Sequence, residues 1–376
     1  MSGSIYGTIF QISTWGESHG EGIGVVVDGC PAGLPLTPEA IQQYLNKRRP
    51  GQTRYSTPRR EDDSVSILSG VFEGRTTGTP ISMLVRNETQ RSADYSQIAD
   101  SYRPGHADYT MDQKYGFRDY RGGGRTSGRE TISRVAGGAV ASLLLAQLGI
   151  SVCAYTKSIG SVTIDYKNCS RRNIEASPLR MPDLHASEQA QALVERAMQE
   201  QDSLGGVIEC IISGVPAGIG EPVFDKLDAS LAKAVMSIGA VKGIEFGAGF
   251  EAAALKGSEN NDGFTVTESG RVKKLHNQAG GILGGISDGS EIIFRAAIKP
   301  TPSISRPQQT ITRSGQPVTI SVRGRHDPVI VPRAVVVVES MAAVTLADLM
   351  LIGMTSRLDR IKGYYNAVRQ EGEITV

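Results

Sequence analysis

Two stretches decide how this chain folds: Asp28-Gly-Cys-Pro-Ala-Gly-Leu34 and Ser213-Gly-Val-Pro-Ala-Gly-Ile219. Each follows a strand-like run and precedes a helix-like one. A second pair comes in the same order, Gly70-Val-Phe-Glu-Gly-Arg-Thr-Thr-Gly-Thr-Pro-Ile81 and Gly281-Ile-Leu-Gly-Gly-Ile-Ser-Asp-Gly-Ser-Glu-Ile292. Chance likeness between two Gly-Pro turns is the competing reading. A true repeat makes the whole chain, 1–376, one pseudo-symmetric domain with halves at about 1–150 and 200–350, not two independent domains.

Outward from these turns, Thr37-Pro38-Glu39 supplies an N-cap, a first-turn proline and a first-turn acid, and predicts a helix to about Arg49. Ser127-Gly-Arg-Glu130 fits the S-x-x-E capping box. Behind it Ile132, Val135, Ala136, Ala139, Val140, Leu143 and Leu144 keep helical spacing until Gly149. Amphipathic spacing predicts helices over about 187–201 and 225–238, and a largely apolar one over 341–351. Strand-like segments fall at 24–28, 64–68, 80–85, 207–212, 291–298, 318–322 and 335–338. The two kinds of element do not alternate strictly, so a layered α+β fold is expected rather than a doubly wound parallel sheet.

The 376 residues carry 40 Lys+Arg against 39 Asp+Glu, a net charge of +1. That balance, with a pI near 7.7, argues against nucleic acid as the main partner. The four cysteines are scattered without a C-x-x-C pair, which suits a reducing cytosol and excludes a zinc ribbon. The N-terminus lacks the pattern of a signal peptide, and no apolar run approaches the roughly 18 residues of a membrane span. A cytoplasmic protein with no membrane partner is expected. Glycine is abundant, 44 residues against a usual share of about 7%, and clusters at 122–124 and 280–285. Such clusters mark tight turns or backbone brought against a ligand.

Chemistry concentrates at a few places. The segment from Lys47 to Arg60 holds six basic residues in fourteen and reads as a loop. Taken alone it is a solvated face; against a neutral chain it fits a small multiply charged anion. A second basic cluster runs from Arg103-Pro-Gly-His106 through Arg118, Arg121, Arg125 and Arg129 into the helix opened by Ser127, where free N–H groups and arginine forks favour phosphate or carboxylate. Gly16-Glu-Ser-His-Gly20 places His19 among small residues as an acid–base candidate, and His106 sits in a turn beside arginines. Arg323-Gly-Arg-His-Asp-Pro328 supplies Arg325, His326 and Asp327 together. His185 and His276 read as surface residues. Metal-ligand spacing and the P-loop are absent, so no metal is expected. Gly247-Ala-Gly-Phe-Glu-Ala252 matches a dinucleotide fingerprint only superficially, and no G-x-S-x-G elbow points to a serine hydrolase.

Three of these motifs together, Gly16–Gly20 with Asp28-Gly-x-Pro31, Gly124-Arg-Thr-Ser-Gly-Arg-Glu-Thr131, and Arg325-His-Asp-Pro328 with Glu339, resemble the signatures of the chorismate synthase family. Arg103–Asp108, the Arg48/Arg54 loop and Lys299-Pro-Thr-Pro-Ser303 are similar to that family too, in the right order over nearly the whole chain. The resemblance implies a lyase that converts 5-enolpyruvylshikimate 3-phosphate to chorismate and phosphate by 1,4-anti elimination, with no net redox change but a requirement for reduced FMN. It implies a β-α-β sandwich, with helices between antiparallel sheets, assembled as a homotetramer. Carried over by position, Arg48, Arg54, Arg129 and Arg325 look like substrate-anion holders. His19 looks like the acid at the leaving phosphate, His106 like the proton partner of the flavin, and Asp327 like a group near the site of C6 proton loss. Flavin contacts would come from Arg125, Thr126, Ser127, Gly239, Ala240, Gly284, Lys299, Pro300, Thr301, Pro302, Ser303 and Arg325. Without an added domain the chain is expected to use NAD(P)H only indirectly, as a source of reductant. It departs from the family pattern at Gly239, where an asparagine is usual, and at Gly128 and Ser303. The competing expectation is a flavin- or NAD(P)H-dependent oxidoreductase acting on a phosphorylated metabolite; a third is an RNA binder using Lys47–Arg60, which the near-neutral pI and low aromatic content oppose.

Overall fold

A computed structural model describes residues 3–57, 61–88, 99–322 and 327–372. Two five-stranded antiparallel sheets form the outer layers. The first is built from β1 (Ile5–Tyr6), β2 (Gln11–Gly16), β3 (Gly22–Asp28), β4 (Val65–Ile67) and, beyond a small hairpin of β5 (Val71–Phe72) and β6 (Arg75–Thr76), β7 (Ile81–Arg86), in the order β1-β2-β3-β7-β4. The second uses β8 (Ser151–Ile159), β9 (Val162–Thr163), β10 (Gly206–Ser213), β11 (Val241–Phe246) and β16 (Ile292–Ile298), in the order β11-β16-β10-β8-β9. Three two-stranded ribbons, β12–β13 (Phe264–Val266, Val272–Lys274), β14–β15 (Ile282–Leu283, Ile286–Ser287) and β17–β18 (Gln308–Ile311, Pro317–Ile320), decorate this frame.

Helices fill the space between the sheets. They are α1 (Pro38–Arg48), α3 (Thr131–Gln147), α6 (Leu227–Met236) and α8 (Val331–Gly353), with α2 (Asp108–Tyr115), α4 (Arg171–Ala176), α5 (Leu184–Gln199), α7 (Gly257–Asn260) and α9 (Leu358–Gly372) outside them. Helix α3 lies on β2 and β3, α8 lies on β8 and β10, and the two pack on each other. They cross closely at Gly138, where a Cβ would stand 2.2 Å from the Cβ of Ser340. Period-2 burial faces each sheet toward this layer: Ile81, Met83 and Val85 on β7, and Ile292, Phe294, Ala296 and Ile298 on β16. The layered α+β architecture is the one expected from the sequence.

The two quoted turns are built alike. Thr76 Oγ1 donates to Pro31 O and accepts from Leu34 N, while Thr76 O accepts from Gly33 N. Ser287 repeats all three bonds with Pro216 O, Ile219 N and Gly218 N. One hydroxyl in each half thus fixes the turn that follows the middle strand.

Helix α1 begins as expected, with Thr37 Oγ1 accepting from Ala40 N and Pro38 in the first turn. Three expectations need correction. Residues 335–338 are not a strand: the four valines belong to α8, which starts at Val331 and is about twice as long as the 341–351 segment. At 23 residues with mean hydropathy 2.1 this helix is long and apolar enough to cross a membrane, contrary to the sequence reading, yet 78% of that window is buried inside the fold. An apolar helix sandwiched between sheets needs no polar face; its buried Asp348 is held by the N–H groups of Thr8, Ile9 and Phe10. Third, Ser127 caps a short 3-10 turn through Arg129 N rather than α3 itself, and Glu130 turns forward to Arg134 instead of back to Ser127.

Candidate active site

The β2–β3 hairpin carries His19 at its tip, buried, with Nδ1 3.2 Å from Ser18 Oγ. The glycine turn before α3 lies against it. At Gly122, with φ +65°, a Cβ would stand 2.4 Å from His19 Cε1; at Gly123, with φ +90°, it would stand 2.9 Å from His106 Cε1. Two consecutive glycines therefore seat the two histidines against one turn, and any side chain there would displace an imidazole.

His106 is oriented from behind. Its Nδ1 lies 3.2 Å from Asp108 Oδ1. Arg103 grips Asp108 with Nε and Nη2, both at 2.7 Å, and Arg118 Nη1 adds a contact at 3.0 Å. Burial alone would raise the Asp108 pKa, but Arg103 and His106 overcome it and hold the carboxyl well below the usual carboxylate range. Two arginines of the second basic cluster are thus occupied by acids from the same segment, Arg118 reaching Asp112 as well. Because the folded-state pKa of Asp108 is depressed, its stabilisation is complete above the unfolded carboxylate pKa near 4 and is lost as pH falls. Asp108→Asn should flatten the decline of the unfolding midpoint below about pH 4, read by thermal melts across an acid series.

The substrate-arginine candidates divide. Arg48 and Arg129 are buried and share one carboxylate: Asp63 Oδ2 lies 3.1 Å from Arg48 Nη1, and Oδ1 lies 3.1 Å from Arg129 Nη1. Arg48 Nε donates to Thr131 Oγ1 and Nη2 to Gly128 O, so each of its nitrogens has a partner within the fold. Burial, then the charge of Arg333, pulls its pKa down to about 9, which leaves it cationic at neutral pH. Arg129 Nε donates to Asn87 Oδ1, and Asn87 Nδ2 donates to Glu17 O and Gly20 O, tying Arg129 to the loop that carries His19. Arg54 points elsewhere: it is exposed, lies over the Tyr55 ring and pairs with Glu195 of α5. Arg325 and His326, like Arg59 and Arg60, lie outside the described residues.

Asp327 accepts from Thr57 N at 2.8 Å and meets Arg333 Nη1 at 2.5 Å, while Arg333 Nε donates to Arg48 O. The contacts close into a ring. From His19 it runs through Asn87, Arg129, Asp63, Arg48 and Arg333 to Asp327. It returns by Pro328 O with Leu204 N, and by Ser203 Oγ with Thr301 O, to the 299–303 segment; Lys299 Nζ there donates to Gly105 O beside His106. Both histidines, Arg129 and Asp327 are thus joined by one path of contacts, referred to below as the rim.

The flavin candidates mostly gather on the same rim. Arg134 of α3 donates to Ser237 Oγ and O, drawing the 237–240 turn to the start of α3, and Lys299 N donates to Ala240 O. Arg125 is spent on β2, donating to Thr14 Oγ1 and Gly16 O. Thr126 and Ser127 shape their own turn. Gly284 does not join this group: Gly285 O accepts from Leu227 N at the start of α6, whereas Gly239 follows the end of that ten-residue helix, about 15 Å away. Among the described residues, no group of His, Cys, Asp and Glu is arranged to hold a metal. Asp63, Asn87, Asp108 and Arg333 were not singled out in the sequence. Only Asp108 carried a local signal, an acid between a histidine and arginines.

An α+β sandwich with a buried arginine–carboxylate network beside two glycine-seated histidines has the charge and the acid–base groups that an enzyme for small molecules needs. The chorismate synthase family model matches residues 10–351. Over 365 residues the chain is 69% identical to the chorismate synthase of Lachnoclostridium phytofermentans and 62% identical to that of Lachnospira eligens, in both cases with 97% of this chain and 100% of the relative covered. It is 55% identical to the chorismate synthase of Methanosarcina barkeri, with 93% of this chain and 97% of the relative covered. A crystal structure of chorismate synthase superposes with a TM-score of 0.76 at 31% identity, covering 97% of this chain and 99% of that one. The chain belongs to the chorismate synthase family. It is an enzyme, a lyase of the shikimate pathway, acting on a small-molecule substrate.

Proposed function

We propose that the whole chain, as one domain, converts 5-enolpyruvylshikimate 3-phosphate to chorismate and phosphate by 1,4-anti elimination with reduced FMN bound. The observation that carries this reading is the pair of histidines seated on Gly122 and Gly123 within a rim that also holds Arg129 and Asp327. Departure of a phosphate needs a positive field and a proton at the leaving oxygen. Arg129 and Arg325 hold the substrate's anionic groups. Arg48 adds charge from behind and fixes Asp63, which in turn fixes Arg129. His19 delivers the proton to the departing phosphate, and Asp327 lies on the side where the C6 proton leaves. Arg54, turned toward α5, would have to swing in to join them.

The residues fit a flavin. Thr301 Oγ1 is buried without a hydrogen-bond partner, and nothing stands within 4 Å of where a Cβ would lie on Gly124, Gly128 or Gly239. Thr126, Ser127, the backbone of Gly239 and Ala240, and Lys299–Ser303 would hold the group, which supplies transient electron density to the substrate when bound. His106, held by Asp108, sets the protonation of that group from Nε2. Gly239 contributes backbone alone, having no side-chain amide. Gly284, at the far end of α6, would meet a flavin only from another copy of the chain, in keeping with a homotetramer. A cytoplasmic setting, with NAD(P)H only as an indirect source of reductant, completes the reading.

The test is an anaerobic assay with reduced FMN and 5-enolpyruvylshikimate 3-phosphate; absence of chorismate overturns the proposal, and NAD(P)H consumption stoichiometric with product would favour the oxidoreductase instead. In that assay Asn87→Asp should lower kcat about tenfold. It keeps an acceptor for Arg129 but loses both donors to the His19 loop, at roughly 0.5–1.5 kcal/mol each. An unchanged kcat in a fully folded Asn87→Asp protein would show that the loop is held otherwise.

A further inference from the structure

Glu339, part of the third signature, has no place on the rim described above. It lies in a separate cavity of about 240 Å³ between the end of α1, α4, β8 and the first half of α8, whose polar lining is Lys47, Cys153, Arg171, Glu175, Arg180 and Glu339. We propose that this cavity is a binding site for a small oxyanion of the phosphate class, distinct from the His19–His106 site.

Three cations converge on it. Lys47 acts on both the Cys153 thiol and the Glu339 carboxyl, Arg171 acts on Cys153, and Arg180 acts on Glu339. Lys47 has a counter-charge in Glu175 at 3.3 Å, a pair exposed enough to be weak. Among the described residues no carboxylate pairs with Arg171 or Arg180 within 4 Å. Two guanidinium groups that line one cavity without a carboxylate partner supply the planar donors that recognise phosphate or sulfate. Glu339 is not such a partner. Its carboxyl accepts Ala154 N at 2.8 Å and is thereby held on β8, and burial pushes its pKa up.

Size sets the class. Allowing about 30 Å³ per water, the space takes a tetrahedral oxyanion with a few waters, and it is below the roughly 300–1,000 Å³ of sites for larger metabolites. A second cavity of about 260 Å³ shares Lys47, Glu175 and Arg180 and continues to Tyr55 and Arg333. Since Arg333 holds Asp327 and the backbone of Arg48, the ion would sit at the outer end of a cationic trough that reaches the catalytic rim. The site stands on its own residues and does not depend on the reaction proposed above.

The experiment is titration of the full chain with inorganic phosphate, by calorimetry and phosphorus NMR, in the wild type, Arg180→Gln, Arg171→Gln and Arg129→Gln. The expected result is a binding event weakened at least tenfold in Arg180→Gln and in Arg171→Gln and retained in Arg129→Gln, whose lesion lies on the other rim. Arg171 is an exposed helix residue, so its variant keeps the test decisive if Arg180→Gln fails to fold. Phosphate binding that is abolished only by Arg129→Gln, or no binding to the wild type at millimolar phosphate, overturns the proposal.

Discussion

His19→Ala and His106→Ala should each lower the rate of chorismate formation by about 10²–10⁴-fold, the range for loss of a positioned acid or base. The two should differ in signature. Without His106, facing Gly123 and beside Asp108, the proposed role predicts that the anaerobic absorbance spectrum of reduced FMN bound to the protein changes in the presence of substrate, because the imidazole proposed to set its protonation is gone. Without His19, held against Gly122 on the hairpin tip, that spectrum should stay as it is while phosphate release in a single turnover slows. Both variants should fold, since neither ring is part of the hydrophobic core between the sheets. Purely structural histidines would give the opposite result: a lower unfolding midpoint with near-normal turnover per folded molecule. A spectrum altered by His19→Ala and untouched by His106→Ala would reverse the two assignments.

The layers and the likeness of the two turns were legible in the sequence because both are written in local chemistry. Thr76 and Ser287 stand at matching places in the two quoted segments, and each makes the same three bonds to its turn. The histidines were visible because glycines surround them, and glycines are what a close backbone approach requires. Helix α8 was obscured for a physical reason. Four consecutive valines favour a strand when read alone, but burial between two sheets overrides that preference. The arginines were counted correctly and assigned too freely: acids within the same segment already hold Arg103 and Arg118. Asp63 and Asn87 left no local trace, since their bonds to Arg129 span 66 and 42 residues. Such partners follow from the fold alone. A sequence shows that charge is present, whereas only the folded chain shows which charges are already neutralised.

Asp63→Ala should have the largest effect on stability, a loss of about 3–5 kcal/mol, because it leaves two buried guanidinium groups facing each other without their shared counter-charge. Asp63 also holds φ +48°, which alanine tolerates less well than aspartate or asparagine. Asp63→Asn therefore separates the terms: backbone and one acceptor remain, only the charge goes, and the loss should be smaller. Adding Arg48→Met to Asp63→Ala should recover part of the deficit, since removing both members of a buried pair is far less costly than removing one. Denaturant unfolding of the wild type, Asp63→Ala, Arg48→Met and the double variant measures the coupling directly. A loss under about 1 kcal/mol for Asp63→Ala would mean that water or Glu61, 3.5 Å from Arg129, takes over the charge, and that the network is not a rigid support. If the network is rigid, Asp63→Asn should also raise the substrate concentration needed for half-maximal rate more than it lowers kcat. Its effect then reaches the substrate through Arg129, as proposed for that residue, and leaves the proposed acid His19 untouched.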